Sequence, residues 1–291
     1  GLAVYLLPPE MLLFFKPNRD YLMLHATDPD KRRYLVAAEG PRHYIDIDHY
    51  GSFPYPDLPR RWTDAVNKFS EDTLNAHGIV PWHIQRMIFR LTRAFETKDA
   101  RSILRLSAEL GHYIADAHVP LHTSSNHNGQ KTNQQGIHGF WESRVPELLA
   151  EESFDFFIGK ADYLPDPTGF IWNRVLESAA AVDSVLRCER ELSARFREDE
   201  KFAFENRNNK LVKQYSTAFT RAYNAALNNM VERRFRASVY SIASCWYTAW
   251  VNAGQPDLQS LVSESLSADD QQTMEALNKA WTEGKMIGRE E

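Results

Sequence analysis

The sequence predicts an all-α fold, a single multi-helix domain over residues 1–291 with long irregular loops. Three observations predict it: apolar residues recur every three or four positions over most of the chain, strand-like alternation is scarce, and no internal repeat or rich linker divides the sequence. Hydrophobic residues make up 43% and charged residues 25%, which excludes disorder for most of the chain and is ample for a buried core.

Each element follows from local pattern. A helix is expected over 58–76. From Pro81 onward, Ile84, Met87, Ile88, Leu91 and Phe95 form one helical stripe. Asp99 is a plausible N-cap for the next helix, striped by Ile103, Leu106, Leu110, Tyr113 and Ala117 and ended near Pro120. Further helices are expected over 137–151, 170–197, 209–252 and 267–283. Tyr215, Phe219, Tyr223, Leu227, Met230 and Phe235 keep the stripe of the long 209–252 run, with a kink or break expected near Ser241–Ser244. Segments 50–57, 123–136 and 159–168 are polar and carry Gly or Pro, so they read as loops.

Lys and Arg number 34 against 39 Asp and Glu, a net charge of −5. That balance argues against a general nucleic-acid-coating protein, although a bound metal can create an anion site that composition does not count. The longest apolar run, Leu2 to Phe15, is broken by Pro8, Pro9 and Glu10, so no transmembrane segment is expected. The start lacks a signal-peptide pattern, which leaves a cytoplasmic protein or a mature chain whose leader has been removed. Cys188 and Cys245 sit in apolar helical patterns and read more simply as buried free thiols than as a disulfide.

The informative feature is a cluster of histidines. Four of the ten, His112, His118, His122 and His127, fall within sixteen residues, and His138 follows. His112 and Asp116 are four apart, as are His138 and Glu142, so each pair shares one face of a helix and can grip one cation. Pro120 ends the first helix and frees His122 to turn back towards the second pair. Imidazole with carboxylate is the ligand set of zinc and, less selectively, of other first-row divalent metals. His122, His138 and Glu142 supply three ligands and leave a position open, which favours catalysis over a closed structural site.

Blander readings apply nearby. His118 lies about 600° round the helix from His112, on another face, and suits packing. His127 lies in the polar loop, facing solvent or substrate. His49 and Asp48 fit a hydrogen-bonded turn as well as a metal-adjacent position. Trp82 and Trp141 suit the core, Arg32-Arg33 and Arg60-Arg61 a solvated surface, and Glu151-Glu152 a helix end.

The run Asp116-Ala-His118-Val-Pro120-Leu-His122, with Gly136-Ile-His138-Gly-Phe-Trp-Glu142-Ser143, resembles the signature of the zinc-dependent phospholipase C and single-strand-specific nuclease superfamily. The resemblance is dense over 104–150 and weaker at Gly78-Ile-Val-Pro81-Trp82 and His43-Tyr-Ile-Asp46; after about residue 160 only the helical character agrees. It implies a mostly helical phosphodiesterase with the metal cluster between core helices. It also implies that His43, His112 and Asp116, with an upstream aspartate, hold one zinc, and that His122, His138 and Glu142 hold a second. Asp28, fifteen residues before His43 in Ala26-Thr27-Asp28, is the expected aspartate, with Asp30 as its rival.

Asp116 resembles the carboxylate that bridges to a third zinc, whose other family ligands, an N-terminal tryptophan and a following histidine, have no counterpart in Gly1-Leu2-Ala3. Two zinc sites are therefore expected, and a third if the native N-terminus carries residues before Leu2. The implied reaction is hydrolysis of a phosphodiester by in-line attack of water activated at the metals, with Asp28 and Asp116 as catalytic residues.

Glu142 and Gly136-Ile-His138 resemble the phospholipase branch. Asp-x-His-x-Pro-Leu-His and Trp141-Glu142-Ser143 resemble the nuclease branch, whose paired loop glycines and several disulfides this sequence lacks. The expected substrate is thus a phospholipid head group, with single-stranded nucleic acid as the alternative. A metal-stabilised helical binding protein, or an inactive homologue, is the non-enzyme reading. No stable macromolecular partner is expected, and a secreted or periplasmic address is implied by the resemblance alone.

Overall fold

Proline sets the first boundaries. In this computed structural model, which describes residues 1–207 and 209–261 and the isolated positions Gln272, Ala276, Lys279 and Glu283, Pro8 splits the apolar N-terminal run. A 3-10 turn, Leu2–Leu6, precedes it, and helix α1 (Pro9–Phe15) follows, opening on a proline whose missing N–H has no partner to lose there. Helices α2 (Arg19–His25) and α3 (Asp28–Arg32) lead into an irregular stretch with 3-10 turns at Gly40–Arg42 and Ile47–Tyr50. The helix expected over 58–76 is two, α4 (Trp62–Phe69) and α5 (Glu71–His77), because Ser70 turns with a φ of 69°. The Ser70 hydroxyl then caps α5 by accepting from the Thr73 N–H at 3.3 Å.

Helices α6 (Val80–Glu96) and α7 (Ala100–Ala117) pack against each other at the centre. All ten residues of their two expected stripes are buried, each large side chain contributing roughly 1.5–3 kcal/mol. Asp99 caps α7 as the sequence suggests, Oδ1 accepting from the Ser102 N–H at 3.0 Å. Helix α7 stops at Ala117, and Pro120 opens a 3-10 turn, Pro120–Thr123.

The next helix is a composite: α8 (Ile137–Gly139), a π turn (Phe140–Arg144) and α9 (Val145–Ser153). It is followed by α10 (Pro167–Ser193) and α11 (Glu198–Lys201). The long helix expected from 209 is corrected. Residues Phe202–Arg207 (β1) and Lys210–Tyr215 (β2) pair as an antiparallel hairpin, with Phe202 opposite Tyr215. Its half-buried alternation ends on Tyr215, stacked 3.8 Å from Phe140, so cross-strand and aromatic contacts override a weak helical period.

Helices α12 (Thr217–Ala226) and α13 (Met230–Asn252) complete the run. The break lies between them, at Asn228 and Asn229, both with positive φ. At Ser241–Ser244 the helix is continuous, the Ser241 hydroxyl donating to the Ala237 carbonyl at 2.7 Å within it. The helix expected over 267–283 lies outside the described residues, apart from the four isolated positions.

The chain is thus predominantly all-α. One core cluster lies among α1, α6, α7 and α13, and a second joins Leu121, Phe140, Val145, Phe219 and Tyr223. Among the described residues no helix is long and apolar enough to cross a membrane.

Candidate metal centre

The histidine-rich segments meet where the two cores adjoin, and local hydrogen bonding explains how. The Ile45 N–H donates to the His122 carbonyl at 2.9 Å, the Val80 N–H to the Tyr44 carbonyl at 3.1 Å, and the Asp46 N–H to the His77 carbonyl at 2.7 Å. Residues 41–46 are thereby clamped between the α5–α6 junction and the turn carrying His122. Gly78 permits the clamp: its φ is 86°, and a Cβ there would stand 2.2 Å from the Tyr44 carbonyl oxygen.

Two ligand groups result. In the first, His43 Nδ1 lies 3.1 Å from His112 Nε2, and Asp30 Oδ1 stands 3.7 Å and 3.4 Å from those nitrogens. Asp116 Oδ2 joins this group, 3.0 Å from His43 Nδ1 and 3.4 Å from His112 Nε2. In the second, Glu142 Oε2 lies 3.4 Å from His122 Nε2 and 3.1 Å from His138 Nε2. Glu142 sits in the π turn, a local unwinding of the kind that recurs at functional sites. Asp116 Oδ1 lies 3.8 Å from His122 Nδ1, the ring nitrogen opposite the one that faces Glu142, so one carboxylate lies beside a ring of each group.

These residues fit a divalent cation. Ligands about 2.1 Å from a tetrahedral zinc lie about 3.4 Å from one another, the range of the spacings above. Outer contacts also fix the tautomers. His122 Nδ1 faces the His43 carbonyl at 2.7 Å and His138 Nδ1 faces the His127 carbonyl at 3.2 Å, so both Nδ1 atoms carry the proton. Their Nε2 lone pairs then turn to Glu142. His138 Nε2 is buried and makes no hydrogen bond there, a cost that a bound cation would relieve.

Electrostatics agree. Burial alone would raise the Asp30 carboxyl, but hydrogen bonding and charge from His112, with His43 and Arg33, outweigh it and hold it at about 2. For Glu142, burial is likewise outweighed when the metal-free rings of His122 and His138 are protonated, their hydrogen bonds and charge holding it well below the usual carboxylate range. Asp30 and Glu142 are thus held ionised, and with Asp116 three carboxylates stand together.

One expected ligand is corrected. Asp28 is committed elsewhere: it accepts from His25 Nδ1 at 2.5 Å and Lys31 Nζ at 3.3 Å, and the aspartate beside His43 and His112 is Asp30. Both open the short helix α3, whose geometry sends only one towards α7, a choice that spacing does not resolve. The structure places His43, His112 and Asp116 side by side, and His122, His138 and Glu142 beside one another. Among the described residues, two groups of ligands assemble in this way.

The neighbours sort as follows. His118 is buried, its Nδ1 facing the Ile114 carbonyl at 2.7 Å and its Nε2 facing Ser241 Oγ at 3.1 Å, a packing role. Asp48 anchors the polar loop by accepting from the Ser125 N–H and hydroxyl, and His49 stacks on His77. Trp82 and Trp141 are buried, as are the free thiols of Cys188 and Cys245. Arg60 and Arg61 are exposed, but Arg32 and Arg33 are not solvated surface: Arg33 is 2% exposed, and Arg32 pairs with Glu39 and Glu109. Glu39, fully buried 3.6 Å from His43 Nε2, is a residue the sequence reading missed, although its place four positions before His43 is the spacing of the other histidine–carboxylate pairs.

A cavity of about 230 Å³ opens beside Asp116 and Glu142, walled by Ala115, Val119, Trp141 and Phe235. A second, of about 370 Å³, runs past His112 along Leu22, Ala108, Val239, Ile242 and Trp246; Ala115, Phe235 and Ser238 line both. No protein-family model, curated protein or solved structure matches this chain.

Proposed function

We propose that this chain is a zinc-dependent phosphodiester hydrolase of phospholipase-C-like type. The observation that supports it most is the pair of neighbouring ligand groups, Asp30, His43 and His112 in one and His122, His138 and Glu142 in the other, with Asp116 beside a ring of each. Asp30, His43 and His112 would hold one cation, with Asp116 Oδ2 close to both imidazoles as a further ligand, and His122, His138 and Glu142 a second with a position left open. Three clustered carboxylates repel an anionic phosphodiester, so these residues alone disfavour that substrate. When bound, two divalent cations overbalance those charges by one, polarise the phosphoryl oxygens and lower the pKa of an attacking water.

The chain's own residues supply the rest. Asp30, with its side chain 47% exposed and held ionised, can accept a hydrogen bond from an incoming water and orient it. Asp116 stands beside a ring of each group. The apolar wall of Phe235, Val239, Ile242 and Trp246 suits the hydrocarbon side of a lipid ester, whereas a single-stranded nucleic acid calls for a basic groove with stacking platforms.

The test is turnover of bis-p-nitrophenyl phosphate, phosphatidylcholine and single-stranded DNA by chelator-stripped and zinc-reloaded protein. We expect zinc-dependent hydrolysis of the first two. Cleavage of the DNA with the lipid spared would transfer the site to the nuclease reading, and a zinc-loaded chain inert towards all three would contradict both.

A further inference from the structure

The metal reading uses one nitrogen of His43, and the other faces a carboxylate with no role so far. We propose that Glu39 is a positioning residue for the first ligand group, holding His43 in the tautomer that turns its Nδ1 lone pair towards Asp30, His112 and Asp116. The inference rests on the metal reading of that group and extends it to a residue outside the ligand set.

The geometry runs as a chain. His43 is fully buried, and its Nδ1 is the atom among the other ligands. A ring nitrogen that binds a cation cannot carry a proton, so the proton of a neutral His43 must sit on Nε2. Nε2 makes no hydrogen bond to any described residue, and Glu39 Oε1 faces it at 3.6 Å, somewhat beyond hydrogen-bond length. A shift of a few tenths of an ångström would make that contact a charge-assisted hydrogen bond from the imidazole N–H to the carboxylate. Such carboxylate–imidazole–metal arrangements orient the ring and raise its basicity as a ligand.

Glu39 is itself held in place. Arg32 Nε donates to its Oε2 at 2.9 Å and Arg42 Nη1 at 2.7 Å, and the Tyr113 hydroxyl donates to Oε1. The Tyr113 ring also packs against His43, with centroids 5.4 Å apart. A fully buried carboxylate is costly unless paired, and two guanidiniums and a phenol pair this one while leaving Oε1 turned towards the imidazole. Arg32 has a second partner in Glu109, at 2.9 Å, so ion pairing and ring positioning can be separated by mutation.

The experiment is equilibrium zinc binding by chelator competition on wild type, Glu39→Gln and Glu109→Gln, each with its thermal midpoint, together with long-range nitrogen NMR of the His43 ring in zinc-loaded wild type. Glu39→Gln is expected to weaken the first site by about 10–100-fold and leave the site of His122, His138 and Glu142 unchanged. Glu109→Gln should lower the thermal midpoint and leave both affinities unchanged. The ring should carry its proton on Nε2, a readout that does not depend on the variants folding. Equal affinities in wild type and Glu39→Gln, or a proton on Nδ1, would overturn the positioning role while leaving zinc binding intact. A wild type that takes up no zinc would overturn the metal reading and this inference with it.

Discussion

Asp116 Oδ2 stands 3.0 Å from His43 Nδ1 although the two residues are 73 positions apart in the chain. Its other oxygen lies 3.8 Å from His122 Nδ1, so a single carboxylate on helix α7 stands beside a ring of each imidazole group. Asp116→Asn keeps the shape and removes the charge. It should reduce zinc affinity at the first group by on the order of 100-fold and cut bis-p-nitrophenyl phosphate turnover at least as far. Calorimetric zinc titration and initial rates check this; unchanged values of both would remove Asp116 from the site.

Gly78 holds the His43 segment against its neighbours by lacking a side chain. Gly78→Ala would force a Cβ onto the Tyr44 carbonyl at a left-handed φ, at a cost of about 1–3 kcal/mol. Urea unfolding should show that loss, and zinc affinity should fall at the first group more than at the second. A variant as stable as wild type would mean the backbone clamp is looser than described.

The central packing makes a separate prediction. Leu110 is fully buried on α7, facing away from the ligands, and Leu110→Ala should cost about 2–5 kcal/mol in chemical denaturation. Zinc stoichiometry should stay as in wild type, because the ligand-bearing residues of α7 lie on another face. A change in stoichiometry would show that core and site are not separable.

Acid should destabilise the metal-free chain over a defined window. Burial, with the charge of Arg42 near His83 and of Arg234 near His118, lowers both imidazoles to about 3. The folded state therefore keeps them neutral while the unfolded chain begins to bind protons near pH 6.5. Their contribution is complete above pH 6.5 and falls as pH drops towards 3, by roughly 2 kcal/mol per histidine at pH 5. His83→Leu, which packs on Tyr113 without titrating, should flatten the decline. Stability independent of pH between 7 and 5 in wild type would contradict the account.

Much of this was legible from residue order. The stripes of α6 and α7 were readable because an amphipathic period over four or five turns is a strong signal, and Asp99 announced its own cap. Two His-x3-carboxylate pairs and the histidine after the proline turn made five residues legible from spacing, whereas His43 was legible only through the resemblance carried by His43-Tyr-Ile-Asp46. The hairpin was hidden: its inward alternation spans six residues per strand and depends on Phe140, more than sixty positions away. Asp28 and Asp30 share one short helix, so only the packing of α3 against α7 separates them. Glu39 stands four residues before His43 across the 3-10 turn Gly40–Arg42, the spacing of the two helical pairs. Here the carboxylate comes first and lies outside any apolar helical stripe, so the pair goes unmarked.

The most direct test of the central claim is a diffraction measurement at the zinc absorption edge on crystals of the zinc-loaded chain. The account predicts one anomalous peak held by Asp30, His43, His112 and Asp116, and a second held by His122, His138 and Glu142. Peaks confined to other residues, or none at all in a folded, zinc-saturated protein, would contradict it.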